Sequence, residues 1–318
     1  MPVLRHSADL VRVFLFVLAV GTLYGAVALA LMRMLRERRG GAPSPGRRKV
    51  WTRRALLALA AFGLLCMAYG RFVEPTWLEV RHVSIISPRL PKGARPVRIV
   101  HVSDLHSDPT PRLEGRLPDV VAAERPDLIV FTGDAINAPE GLAAFKSCMG
   151  RFSGIAPTFA VTGNWDERFS IDLPLYAGTG VRELKGGAAK VDVAGTSVWV
   201  AGIPGWGADA VGQALAAVPP GAFTVLLHHY PEDVEAFAAR GTVDLCCAGH
   251  IHGGQVALPF YGALVTLSRT GKRYESGLYR VGGTWLYVSR GVGMEGGEAP
   301  RVRFCARPEV TVIEATPE

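Results

Sequence analysis

An α/β fold on a parallel sheet, preceded by N-terminal transmembrane helices, is predicted by three observations. From Val97 onward, short β-branched runs alternate with helical patterns, the signature of β-α-β units. Val13 to Met32 is a run of 20 residues without a charge, long enough as a helix to cross a bilayer core. Asp, Asn and His gather just beyond the predicted strand ends, where open α/β sheets bind ligands. The composition agrees: 49% hydrophobic and 20% charged over 318 residues excludes a disordered or fibrous chain.

The first element is the membrane anchor, residues 1–71. Arg12 and Arg33 bracket the first apolar run (13–32). A cleavable signal peptide has a shorter apolar core and a small-residue cleavage site, so a true span is the better reading. A second run, 55–70, is only 16 residues long between Arg54 and Arg71, with Trp51 and Trp77 near its ends. It is read as a span whose flanking arginines snorkel, against a buried or interfacial helix. The loop between them, 33–54, holds nine Lys/Arg and one acid, and so should stay cytoplasmic. With both runs spanning the cytoplasmic membrane, the large domain faces outward; with one, it is cytoplasmic.

The net charge of +7 suggests a nucleic-acid binder until it is divided. Residues 1–71 carry +10 and residues 72–318 carry −3. The large domain therefore lacks the clustered positive field that counterion release uses, and no nucleic-acid partner is expected. The five cysteines form no CxxC pair, and adjacent Cys246–Cys247 would strain a disulfide, so all are read as free.

Within the large domain, 72–318, strands are predicted at 98–102, 128–132, 157–162, 197–203, 223–227, 244–247, 285–289 and 310–314. Helices are predicted at 113–124, 141–152, 208–218 and 231–240. After these strands come the residues of interest. Asp104-Leu105-His106 places a carboxylate and an imidazole two apart, which on an extended segment share one face. Gly133-Asp134 adds a carboxylate after a strand, where a helix cap is the bland alternative. Gly163-Asn164 adds an amide oxygen, His229 ends the buried run LLHHYP, and His250-Ile251-His252 offers two imidazoles amid glycines. Oxygen and nitrogen donors of this mix suit Mn, Fe or Zn rather than Ca. His228, on the opposite strand face from His229, is read as structural.

In this order, D-x-H, G-D, G-N, H and G-H-x-H resemble the calcineurin-like metallophosphoesterases over about 97–293, and more closely their membrane-anchored bacterial branch. That branch carries GHTHGGQ where this chain has GHIHGGQ. Val288-Ser289-Arg290-Gly291 and Arg307-Pro308-Glu309 are also similar to that branch. The resemblance implies an αββα sandwich with two divalent cations. It implies that Asp104, His106, Asp134 and His252 hold one, and Asp134, Asn164, His229 and His250 the other. Asp134, Asn164 and His229 are then catalytic, and Trp165 and Arg290 are candidate substrate-binding residues. Two cations ~3.5–4 Å apart activate water and clamp a phosphate for in-line attack.

The chain departs from the family at Trp165, where a histidine that serves the leaving group is usual. Indole donates a hydrogen bond but cannot act as a general acid. Three readings follow: a substrate with a good leaving group, a substitute such as Asp166 or Arg168, or slow turnover. The expected function is a membrane-anchored phosphoesterase or pyrophosphatase acting on a phosphorylated, lipid-linked or envelope substrate. UDP-2,3-diacylglucosamine, which a relative hydrolyses on the cytoplasmic side, is one such substrate. The competing reading is a metal-binding membrane protein with little or no catalytic activity.

Overall fold

The computed structural model describes residues 7–40, 45–193, 195–205, 210–296 and 300–318. Two long helices come first, α1 (Ser7–Arg39) and α2 (Arg47–Phe72). Both are long and apolar enough to cross a membrane. At 26 residues α2 reaches well beyond its 16-residue uncharged run, because Arg47–Arg54 and Arg71–Phe72 continue the helix at its two ends. The two helices touch: the Tyr24 hydroxyl donates to the Ala60 carbonyl at 3.0 Å. Their outward faces leave Phe14, Leu15, Val17, Phe62, Leu64 and Leu65 exposed. Bare apolar faces of this size are unusual on a protein surrounded by water.

The remaining residues form two six-stranded sheets. In the first, the order is β1 (Glu79–Ser87), β14 (Glu309–Pro317), β2 (Val97–Val102), β3 (Leu128–Phe131), β4 (Thr158–Ala160) and β5 (Arg182–Glu183). In the second, it is β12 (Gly277–Val281), β13 (Thr284–Val288), β9 (Leu245–Ala248), β8 (Thr224–His228), β7 (Thr196–Ile203) and β6 (Gly187–Val193). β2 to β5 are parallel, and so are β13, β9, β8 and β7. A short hairpin pairs β10 (Ala257–Leu258) with β11 (Gly262–Ala263).

Strand alternation builds the layers. Ile99, Val130, Phe159 and Ile313 of the first sheet meet Val200, Val225, Leu227 and Tyr287 of the second, all buried. The opposite face of the first sheet, with Val100, Val102, Ile129 and Phe131, packs on α3 (Leu117–Ala123) and α4 (Leu142–Ser153). The opposite face of the second packs Leu226, Cys246 and Val288 on α5 (Val211–Ala214) and α6 (Val234–Ala238). The result is the α/β/β/α sandwich that the resemblance implied. Cys246 and Cys247 point into different layers, and all five cysteines are free.

Several elements differ from expectation. β1, β5, β6, β10, β11 and β12 were not anticipated; β1 is an edge strand whose sequence EVRHVSIIS exposes His82, Ser84 and Ile86 and keeps Glu79 and Arg81 half-buried. The helices expected over 113–124 and 231–240 shrink to Leu117–Ala123 and to a short turn followed by Val234–Ala238. The helix expected at 208–218 is Val211–Ala214, and residues 208–209 lie outside the described ones.

Candidate metal centre

The parallel strands of both sheets aim their carboxyl ends at one place. Asp104 and His106 follow β2, Asp134 follows β3, Asn164 follows β4, His229 follows β8, and His250 and His252 follow β9. Seven candidate ligands from five strands thus converge, and all but Asn164 and His250 are fully buried.

Asp104 and His106 do not share a face by strand alternation, as expected above. β2 has ended at Val102, and both residues are in the left-handed region, with φ of 51° and 40°. Asp134, His250 and His252 are left-handed too, at 57°, 70° and 53°. Non-glycine residues held there cost ~1–3 kcal/mol each, and such strain clusters at functional sites. The turned backbone lets the neighbouring loops touch: Asp104 N–H donates to the Gly133 carbonyl at 2.9 Å and His106 N–H to that of Asp134 at 3.0 Å. Glycine is required beside them, since a Cβ at Gly163 would collide with Asp134 Oδ1 and one at Gly249 with Asp104 Oδ2.

Ligand atoms of Asp104, His106, Asp134 and His252 all lie within 4.8 Å of one another. His106 Nε2 and His252 Nε2 are 3.2 Å apart, and His252 Nε2 is 3.4 Å from Asp104 Oδ1. On the other side, Asn164 Oδ1 is 3.0 Å from His229 Nε2 and 2.9 Å from His250 Nδ1. Asp134 Oδ2 sits between the two groups, 3.4 Å from His106 Nε2 and 3.3 Å from His229 Nε2.

The far nitrogens of two histidines are held by oxygens. His229 Nδ1 donates to the Thr132 carbonyl at 2.6 Å, and His106 Nδ1 to Asn137 Oδ1 at 3.0 Å. Asn137 is oriented by its own amide, which donates to the carbonyls of His106 and Met294. Both Nε2 atoms are therefore the ones turned toward the centre, the usual outer support of metal-binding imidazoles. Asp104 Oδ2 is buried without a hydrogen-bond partner. Burial pushes the Asp104 carboxyl up. It also opposes charge on His229, but Asp134 and Asp104 outweigh it and raise that imidazole to about 10. Two carboxylates, an amide and four imidazoles with an unmatched buried oxygen fit divalent cations of the borderline type.

Other residues frame the centre. Asp166 accepts from the N–H groups of Gly163, Asp134 and Ala135, each at 2.8 Å, and so ties the Gly133 and Gly163 loops together. Its oxygens face backbone donors. Trp165 is buried, gives its N–H to Asp134 Oδ1 at 2.9 Å, and sets its ring edge-on to His106 at 5.4 Å. The Trp165 indole donates to Glu295 Oε1 at 3.3 Å. The Arg290 guanidinium is committed to Glu79 and Glu309, at 2.7 and 2.6 Å, rather than extended toward the ligands. His228 bonds Asp233 at 3.0 Å and the Ile203 carbonyl at 3.2 Å, on the face away from the centre. Arg303, fully buried, donates to the carbonyls of Arg290, Gly291, Gly293 and Ala306 and approaches His252 Nδ1 to 3.5 Å. Its own N–H donates to the Gly70 carbonyl, at 2.9 Å, so the end of α2 touches the loop under the centre.

Asn137, Glu295 and Arg303 were not singled out from the sequence. Asn137, three residues after Asp134 in GDAIN, carried the nearest thing to a signal.

Comparison with known proteins agrees with this geometry. The calcineurin-like phosphoesterase family matches residues 97–254. An uncharacterized metallophosphoesterase of Bacillus subtilis, YkuE, is 32% identical over 80% of this chain and 93% of its own length. The phosphodiesterase YaeI of Escherichia coli is 30% identical over 82% of this chain and 98% of its own. A transmembrane protein with metallophosphoesterase domain from Danio rerio is 29% identical over 82% of this chain and 62% of its own. The chain belongs to the calcineurin-like metallophosphoesterase family, hydrolases that act on phosphoric esters.

Proposed function

We propose that this chain is a membrane-anchored phosphodiesterase or pyrophosphatase with a dinuclear centre bridged by Asp134. The observation that carries the reading is the position of Asp134 Oδ2, 3.4 Å from His106 Nε2 and 3.3 Å from His229 Nε2. Asp104, His106, Asp134 and His252 would hold one cation; Asp134, Asn164, His229 and His250 the other. When bound, two cations of the Mn, Fe or Zn type supply the Lewis acidity that activates water and neutralises a phosphate.

The protein's part is to hold these donors. Thr132 and Asn137 keep His229 and His106 in the ligating tautomer, Asp166 fixes the spacing of Asp134 and Asn164, and Trp165 walls one side. None of these puts a free acid on the leaving group: the indole of Trp165 is no acid, and the Asp166 oxygens are taken by three N–H groups. A leaving group that needs no proton, such as a phosphate released from a pyrophosphate bond, suits such a site. The printed name of the Escherichia coli relative supports a phosphodiester substrate. Two long apolar helices and the transmembrane relative support a membrane anchor, which favours a lipid-linked substrate. With both helices spanning and the basic 33–54 loop cytoplasmic, the centre faces outward. UDP-2,3-diacylglucosamine, hydrolysed from the cytoplasm, fits the leaving-group argument but not this orientation.

The test is hydrolysis of a chromogenic phosphodiester by the full chain in detergent. Turnover that disappears with chelator and returns with Mn²⁺ supports the reading. Absence of metal-dependent hydrolysis across diesters, monoesters and pyrophosphates would leave a non-catalytic metal-binding protein.

A further inference from the structure

A second candidate site lies far from the metal centre, at the opposite end of α2. A cavity of about 740 Å³ opens between α1 and α2. Its apolar wall is Ala26, Leu29, Ala30 and Leu56; its polar rim is Arg33, Arg47, Arg48, Lys49 and Arg53. The rim is only partly neutralised from within. Glu37 is the one acid of residues 33–54, and it takes Lys49 at 2.5 Å and Arg53 at 2.7 Å. Arg33, Arg47 and Arg48 have no carboxylate partner among the described residues.

We propose that this cavity binds the headgroup of an anionic phospholipid, with its acyl chain along the Ala26–Ala30 and Leu56 wall. The proposal rests on the membrane anchoring proposed above. Charge complementarity selects the occupant: four arginines and a lysine line one concavity with a single acid beside them, and a planar guanidinium grips a phosphate through two donors. The apolar wall selects a lipid over a free anion, because a soluble phosphate leaves Leu29 and Leu56 unused. Basic pockets between transmembrane helices on the cytoplasmic side are suited to anionic headgroups. The site is not an extension of the catalytic centre. From Leu56 to Phe72 the helix rises roughly 24 Å, most of the hydrocarbon core, before the catalytic domain begins. The lipid would therefore sit in the leaflet opposite the metal centre and hold the α1–α2 pair in register and orientation.

The test uses the full chain purified in detergent and read by native mass spectrometry. It is titrated separately with phosphatidylglycerol, phosphatidylcholine and inorganic phosphate. One tightly retained phosphatidylglycerol is expected, with phosphatidylcholine and phosphate weaker. Arg33→Gln/Arg47→Gln/Arg48→Gln should weaken phosphatidylglycerol by about 100-fold, the effect of three basic residues at an anionic surface. Arg36→Gln/Arg38→Gln/Arg39→Gln removes the same charge outside the cavity and should change binding only a few-fold. Ala30→Trp, which keeps every charge and sets an indole into the apolar wall, should also weaken retention strongly. Equal binding of the two lipids, equal loss in both triple variants, or phosphate binding as tight as the lipid would each overturn the site. Carbonate washing of membranes separates the two readings. Release of the chain overturns anchoring and this site together; retention without anionic preference overturns the site alone.

Discussion

Replacing Asp166 by Asn tests whether this carboxylate is a clamp or a proton donor. Its Oδ2 accepts from Gly163 and Asp134 and its Oδ1 from Ala135, all at 2.8 Å. An amide keeps one oxygen, so at least one of the three N–H groups then faces an NH2. A lost bond to a charged group is worth ~1.5–3 kcal/mol, and a buried unmatched donor costs ~1–3 kcal/mol. Burial, and then Asp134, raise the Asp166 carboxyl to about 7, so part of that bonding offsets its desolvation. The net loss expected at pH 8 is therefore about 2 kcal/mol, roughly a 30-fold shift in the folding equilibrium. The same change loosens the join between the Asp134 and Asn164 loops, so one cation should be held more weakly than the other. The assay is thermal unfolding followed by tryptophan fluorescence, with metal counts after timed exposure to chelator. Unchanged stability and metal content, together with a steeper dependence of rate on leaving-group pKa, would refute the clamp and make Asp166 the acid.

Other expected outcomes follow from neighbouring contacts. Asn137→Ala removes the oxygen that orients His106 and should weaken metal binding about 10–100-fold, read by competition with a chromogenic chelator. Trp165→His places an imidazole beside His106 and Glu295; rates on alkyl esters should rise by up to ~10²–10⁴ and the leaving-group slope should flatten. A higher KM with an unchanged slope would instead make Trp165 a substrate platform. His101, buried against Thr132, is lowered by burial to about 3 from its ordinary 6.5. The unfolded chain takes up this proton first, so the stability from a neutral His101 is present above pH 6.5 and lost as pH falls toward 3. Between pH 6.5 and 5 the wild type should lose about 2 kcal/mol more than His101→Gln in denaturant titrations; equal losses would count against it.

The gathering of the seven candidate residues was legible in the sequence because parallel strands end where ligands bind, and seven polar residues at strand ends have no common packing role. The route by which Asp104 and His106 converge was not legible. Period-two alternation applies only inside a strand, and here the chain has already turned left-handed. Edge strand β1 was hidden because its exposed side carries Ile86 while its inner side begins with Glu79 and Arg81, so no clean apolar alternation marks it. Glu295 and Arg303 were hidden for a different reason: each touches the centre through a loop distant in sequence, whereas Asn137 lies near Asp134 but reaches across to His106 in another loop. Arg290 shows the converse. Its setting in Ser289-Arg290-Gly291 drew attention to it, yet its charge is spent on Glu79 and Glu309.

If Asp134 joins two cations, Asp134→Asn should release metal and lose turnover together. The purified full chain should carry two transition-metal ions by elemental analysis, and the variant should retain fewer and lose turnover on a chromogenic diester by orders of magnitude. A variant that keeps both ions and wild-type turnover would contradict the account.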